Sequence, residues 1–574
     1  MLSAQEQNTI ATLRERGGYF SATDFGLVEI YGKDAGRFLQ SQTTNDVNAL
    51  DACCGQLSCL LDRKAHVKAF FQLYRRHESF RIIAEKSQIQ TILSHLEEYK
   101  FADKIELLDL TETGQFFAIQ GPDAPLLVRH GQRGNSHNVA CDHDLTDATF
   151  WDTPVHVFRK SITGEIGYFF WVAKSRIDAF RASAEKACGD IGFVQLDNEV
   201  LEIARIEAGL PKYGTDFNDE NLLPETALEE IAASYTKGCF LGQEVLARIK
   251  SQGSPTRALV GLTFPADSRL KFPINAKVNC DGTDIAIIKS NGYSPTLKRT
   301  IALAFIKRDW RIAGKHLACN IEQTNCDVNV ATLPFYKPES INERARRLYE
   351  EGLKLYAKES DLAVESPAVK LLRTAIELDP LLEDAYEALG VVLSKRGQLD
   401  DAIKLMKKLA TINQDSVMAH TNLSVFYVEK GLKDEAEEEK AISMSIRMRL
   451  AAKEATAAKS KEESKQQKEQ ETRERMDMFK QVLAIDGEDL LANYGYGSCL
   501  VELEQYQDAI PYLLKAISIK PMHTVAYVSL SKAYKGLGDK DKLCETLEKG
   551  IEVASKRGDL MPLKELEKMK FELS

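Results

Sequence analysis

The richest chemistry in the chain lies in Lys237-Gly238-Cys239-Phe240-Leu241-Gly242-Gln243-Glu244-Val245-Leu246-Ala247-Arg248. A cysteine sits between a lysine–glycine pair and a glycine followed by polar residues. After Gly242 the apolar residues Val245, Leu246 and Ile249 recur at helical spacing, with Gln243, Glu244, Arg248 and Lys250 on the other face. Cys239 is therefore expected just upstream of a helix N-terminus, where unpaired N–H groups and the helix dipole favour an anion. Lys237 adds positive charge and Glu244 opposes it. Such surroundings bias a thiol towards thiolate, the nucleophilic form. Cys239 and Lys237 are the candidate catalytic pair; Gly238, Gly242, Gln243, Glu244 and Arg248 would shape the loop. The alternative is a buried cysteine packed as a small hydrophobe.

Several elements must position this loop. At 574 residues the chain is too long for one hydrophobic core. Residues 19–110 alternate strand-like and helix-like pieces, as in an α+β domain. Gly26–Gly32 reads as a strand and Lys33–Gln40 as a short helix. Ser58–Leu61 and Val67–Tyr74 read as hairpin arms around the turn region Asp62–Ala65. Phe80–Ala84 reads as a strand and Ser87–Tyr99 as an amphipathic helix. Short strand candidates at 258–264, 277–280, 284–290, 300–306 and 327–330 suggest a small β-barrel, and 335–340 reads as a linker.

From residue 341 the pattern is helical and repeats. Ala385, Leu389, Gly397 and Ala402 recur at Ala419, Leu423, Gly431 and Ala436, each shifted by 34, and Ala492 and Ala526 are again 34 apart. That period is the signature of tetratricopeptide (TPR) helix pairs. Asn422, Tyr427 and Asn493 are candidate contacts for a protein partner on the concave face. Ala451–Arg475 interrupts the array with seven basic and six acidic residues and few apolar ones. Pairs such as Lys459/Glu463 and Glu471/Arg475 suggest a solvated helix.

Composition narrows the classes. A net charge of −10 argues against a general nucleic-acid binder. No apolar run reaches the length of a membrane span. The polar N-terminus lacks the apolar core of a signal peptide. The eleven cysteines form no CxxC pair and no metal-ligand spacing, so free thiols in a reducing cytoplasm, and no metal, are expected.

The cysteine stretch resembles the signature of the YgfZ-type folate-binding proteins, relatives of the glycine cleavage T-protein (aminomethyltransferase) that act in iron–sulfur cluster assembly or repair. The resemblance extends to Gly32-Lys33-Asp34-Ala35, Gln42-Thr43-Thr44-Asn45-Asp46-Val47, Gln120-Gly121-Pro122-Asp123-Ala124, Thr163-Gly164-Glu165-Ile166-Gly167-Tyr168, Arg205-Ile206-Glu207-Ala208-Gly209-Leu210-Pro211 and Leu223-Pro224-Glu225. It implies an α+β aminomethyltransferase-like folate-binding module at 1–255 and a small β-barrel at 256–336. An all-α TPR solenoid then follows at 341–450 and 481–574, with a charged helical insertion at 451–480. The implied cofactor is tetrahydrofolate or a derivative. The implied partner, through the repeats, is an iron–sulfur protein.

The resemblance also marks departures. The acid that the T-protein uses beside the reacting nitrogen would fall near Lys68-Ala69-Phe70, which has no carboxylate. Asp62 is nearby but sits in the hairpin turn. The carboxylate that reads the pterin falls on Phe169, while the arginine is kept as Arg205. Arg205, Glu207 and Phe169 are thus the candidate folate-facing residues. Their alternatives are a core aromatic for Phe169 and a salt bridge from Arg205 to Glu207 or Glu225. Three functions follow from different classes: a folate-dependent factor for iron–sulfur proteins, a folate-dependent one-carbon transferase, or a non-catalytic TPR scaffold.

Overall fold

The computed structural model describes residues 3–133, 145–251, 253–358, 366–557 and 559–572. The chain divides into two compact units, Met1–Leu405 and Met406–Ser574.

Among the described residues of the first unit, two sheets pack across a shared core. One runs Val194–Gln195, Gly18–Ser21, Gly114–Gln120, Gly167–Ala173, Thr153–Arg159, Leu145–Phe150, Gln132–Arg133. The other runs Gly55–Leu61, Val67–Arg75, Ser79–Glu85, Phe25–Tyr31, Glu106–Asp109. Side chains alternate across a strand, and this decides the layers. Leu27 joins Phe116, Phe158 and Phe169 between the sheets. Val28 and Ile30 face the other way, towards helices Ala35–Gln42 and Lys86–Glu98. Phe117 and Phe170 face helices Ala124–Gly131 and Ile177–Asp190. The order is helix, sheet, sheet, helix.

A closed six-stranded barrel follows: Arg257–Ala266, Arg299–Lys307, Thr283–Ser294, Lys277–Cys280, His316–Ile321, Thr324–Ala331. Sequence reading missed His316–Ile321, whose inward residues Leu317, Cys319 and Ile321 alternate with His316, Ala318 and Asn320. The omission hid a pairing. This strand sets Val278 opposite Ile321 and Asn279 opposite Asn320, so Cys280 comes beside Cys319. The two form a disulfide with Cα atoms 4.6 Å apart, which corrects the expectation of free thiols throughout.

Residues 335–340 are irregular but not detached. The Tyr336 N–H donates to the Glu207 carbonyl, and the Arg14 guanidinium lies 4.1 Å from the Tyr336 ring centroid. In helix Ile341–Tyr356, Arg344 pairs with Asp123 at 2.6 Å and donates to the Glu15 carbonyl. The first repeat helices therefore pack on the α/β module.

The repeat positions read from sequence are buried: Ala385, Leu389, Ala402, Ala419, Leu423, Ala436, Ala492 and Ala526. Gly397 and Gly431 hold left-handed φ of 78° and 83° at the turns between paired helices. In the second unit the charged interruption is part of one helix, Lys433–Ile485, of 53 residues. At 1.5 Å per residue it is about 80 Å long. Arg475 pairs with Glu502 of helix Leu490–Glu502. The pair Lys459/Glu463 lies outside the described side chains. Two expected partner contacts are internal instead. Asn493 is 3% exposed and donates to the Gly487 and Asp489 carbonyls, and Tyr427 is buried. Asn422 is half-buried beside Met406. No helix among the described residues is long and apolar enough to cross a membrane.

Candidate functional site

The cysteine stretch folds as a pinned loop before helix Gln243–Ser251. Lys237 is buried, and its ammonium donates to the Thr43 and Asn45 carbonyls at 2.6 and 2.8 Å. It also lies 5.0 Å from the Phe240 ring centroid. Burial pushes its pKa down to about 8, with Asp46 opposing. Its donors are directed at the backbone of 43–45, so it anchors the loop there. Phe240 and Leu246 enter the core beneath. Gly242 turns the chain at φ +84°, where an added Cβ would meet the Asp62 carbonyl at 2.7 Å. Held at both ends, the loop leaves Cys239 exposed, so the buried-hydrophobe alternative fails. Gly238 is exposed with open space around it. Among the described residues the side chains of Gln243, Glu244 and Arg248 make no hydrogen bond or ion pair.

A second feature is a cavity of about 620 Å³ in the α/β module. Phe25, Phe70 and Ile83 give it apolar walls, and Gln72, Glu85 and Lys160 bring polar groups into it. Residues 237–248 do not line it. Asp62 is held in the hairpin turn, accepting from the His66 ring at 3.0 Å and from the Lys64 and His66 N–H groups.

The three candidate folate residues fare differently. Arg205 lines the cavity, but its donors are engaged. Nε and Nη2 donate to Glu202, Nη1 to Asp216 and the Leu210 carbonyl, and Nη2 also to Ser290. A guanidinium has five N–H donors, and these five bonds use them all. Burial alone would lower its pKa; Glu202 and Asp216 hold it raised. Arg205 therefore ties the cavity wall to loop 210–216 and to the barrel at Ser290. Its ion-pair partners are Glu202 and Asp216, not Glu207 or Glu225. Glu207 is fully buried, accepting from Arg14 at 2.6 Å and from Ser294 at 2.5 Å, and does not line the cavity. Phe169 is 0% exposed, edge-on to Phe20 and Phe25 in the intersheet core. Sequence reading missed Glu85, Lys160 and Lys212. Lys160 immediately precedes the turn that carries Thr163-Gly164-Glu165, and Glu85 ends a strand; those placements were the available signals.

Comparison with known proteins agrees with this architecture. The GCVT N-terminal domain matches residues 3–234, and the glycine cleavage T-protein C-terminal barrel domain matches 257–337. Tetratricopeptide repeats match 371–404, 491–523 and 525–557. The intervening 235–256, which holds the cysteine stretch, falls in neither domain match. The aminomethyltransferase of Alkaliphilus oremlandii is 24% identical over 326 residues, covering 56% of this chain and 87% of that protein. The aminomethyltransferase of Bacillus velezensis is 28% identical over 336 residues, covering 57% and 88%. The crystal structure of the glycine cleavage system aminomethyltransferase T from Bartonella henselae is 22% identical with a TM-score of 0.52. It covers 58% of this chain and 90% of its own, which supports the shared fold. The chain thus joins a GCVT-type module and its barrel to tetratricopeptide repeats.

Proposed function

We propose that the α/β module binds tetrahydrofolate or a derivative of it in the 620 Å³ cavity, and that the repeats dock a protein partner. The observation that carries this reading is the cavity itself. It has apolar, aromatic walls with a few convergent polar groups, the usual make-up of a cofactor pocket, in a chain whose relatives are aminomethyltransferases. The resemblance of the cysteine stretch supports a finer role, as a factor for assembly or repair of iron–sulfur proteins in the cytoplasm. Exposed Cys239 would then be the group that acts on the client. Calorimetric titration of the full chain with (6S)-tetrahydrofolate under argon tests the first claim. Saturable binding is expected, and its absence refutes it. The finer role predicts that Cys239→Ser fails to complement a strain lacking its own YgfZ-type protein; full complementation refutes it.

One observation favours a second reading, a folate-dependent one-carbon transferase. The stretch Lys68-Ala69-Phe70 carries no carboxylate, but Glu85 lines the same cavity as Phe70. A base within reach of a bound ligand is what that chemistry needs.

A further inference from the structure

Glu85 ends strand Ser79–Glu85 and is the N-cap residue of helix Lys86–Glu98, yet its side chain makes no capping bond. It is half-buried in the cavity wall. Among the described residues nothing hydrogen-bonds or ion-pairs with its carboxylate. Two other carboxylates line the cavity. Glu202 is engaged by Arg205, and Asp24 is exposed at the rim. A partly desolvated carboxylate without a direct partner is costly unless something answers it.

Strand pairing places Glu85 where a ligand would meet it. Gln72 faces Ile83 across the ladder of Val67–Arg75 and Ser79–Glu85. Side chains repeat every two residues, so Phe70 and Glu85 come next on that side, and both line the cavity. On its other edge Glu85 pairs with Phe25. The Lys160 ammonium lies 5.5 Å from the Phe25 ring centroid and donates to Gln72 at 3.3 Å. The cavity thus presents a carboxylate and an ammonium beside two aromatic faces.

Resting on the folate reading above, we propose that Glu85 and Lys160 are the ligand-reading pair of this cavity. Glu85 accepts hydrogen bonds from the N–H edge of a flat heterocycle, and Lys160 donates to a carbonyl oxygen of the same ring. The ligand class is an aminopyrimidinone such as the pterin half of a reduced folate, set between Phe25 and Phe70. The pair takes up the task left open by the missing carboxylates near Lys68-Ala69-Phe70 and at Phe169. Both groups are tuned by the same surroundings. Burial pushes the Glu85 pKa up, with Lys212, Lys160 and Arg205 opposing and Asp24 adding to the rise. Burial pushes Lys160 down to about 8, with Glu85 opposing. Both are charged below about 8 until the solution is acid enough to protonate Glu85. Affinity is therefore lost on the acid side as Glu85 takes up a proton, and on the basic side above about 8 as Lys160 gives one up.

The test is calorimetric titration of the full chain with (6S)-5-formyltetrahydrofolate from acid to basic pH, for the unaltered protein, Glu85→Gln and Lys160→Met. The unaltered chain should bind with a two-sided pH profile. Glu85→Gln should weaken binding roughly ten-fold, the worth of a hydrogen bond to a charged group, and lose the acid limb. Lys160→Met should lose the basic limb. Binding by Glu85→Gln with unchanged strength and profile overturns the inference and leaves the folate reading standing. Absence of binding by the unaltered chain overturns both. If a variant fails to fold, a flat pH profile of the unaltered chain overturns the inference by itself.

Discussion

Gly242 shows how much of the cysteine motif is architectural. Its φ of +84° and the 2.7 Å approach to the Asp62 carbonyl leave no room for a Cβ. Gly242→Ala should lower stability by about 2 kcal/mol, the scale of a strained left-handed residue, as read by urea unfolding; an unchanged midpoint would contradict the pinned loop. Lys237 and Phe240 serve the same anchoring, which frees Cys239 to face solvent. Timed iodoacetamide labelling of the folded chain should modify the exposed Cys239 and Cys544 first. Cys59 and Cys188 should react only on unfolding. Both are buried, and burial pushes the Cys188 thiol up to about 12. Protection of Cys239 until denaturation would contradict its placement. At this scale the sequence showed which residues cluster but not what each one touches. Arg205 looked like a ligand donor because the groups that occupy its five N–H donors, the Glu202 and Asp216 carboxylates, the Leu210 carbonyl and the Ser290 hydroxyl, are spread along the chain.

Elements were more legible, because hydrophobic period is written locally. The hairpin arms Gly55–Leu61 and Val67–Arg75 and the helix Lys86–Glu98 lie where alternation and helical spacing put them. Strand His316–Ile321 escaped notice because its three inward residues are divided by His316, Ala318 and Asn320, a weak alternation bounded by few turn residues. The repeats carry a position that sequence spacing alone could not interpret. Gly397, Gly431 and Gly538 take the left-handed turn at the same place in their helix pairs, and Glu504 takes it in theirs at φ 60°. A side chain in that conformation is strained by roughly 1–2 kcal/mol, partly offset by the greater flexibility of unfolded glycine. Glu504→Gly should therefore raise the thermal midpoint of the second unit; a lowered midpoint would contradict this reading. Arg344 makes an opposite case. Asp123 is mostly buried, and burial pushes its pKa up while Arg344 holds it down. Arg344→Ala leaves that carboxylate unpaired and should cost about 3 kcal/mol, the scale for breaking a buried pair. The unpaired group must be protonated to stay comfortably buried. The loss should thus be larger at pH 8 than at pH 5. Equal loss at both would show that Asp123 is not the cause.

In the whole molecule, the break near residue 337 that composition suggested is a change of architecture rather than of packing. Tyr336 and Arg344 fasten the first repeat helix to the α/β module, and such long-range pairs leave no trace in local pattern. The order of parts was readable: an α+β module, a barrel and a 34-residue repeat each have their own period. The cavity was not, since its walls come from strands and loops spread between residues 20 and 231. Hydrogen exchange of the full chain, followed by peptide mass spectrometry with and without saturating (6S)-tetrahydrofolate, asks whether this cavity holds a reduced folate. Protection is expected in strands Val67–Arg75 and Ser79–Glu85 and in residues 198–213, with none in 417–571. No protection of those two strands, or protection confined to the helical repeats, would contradict it.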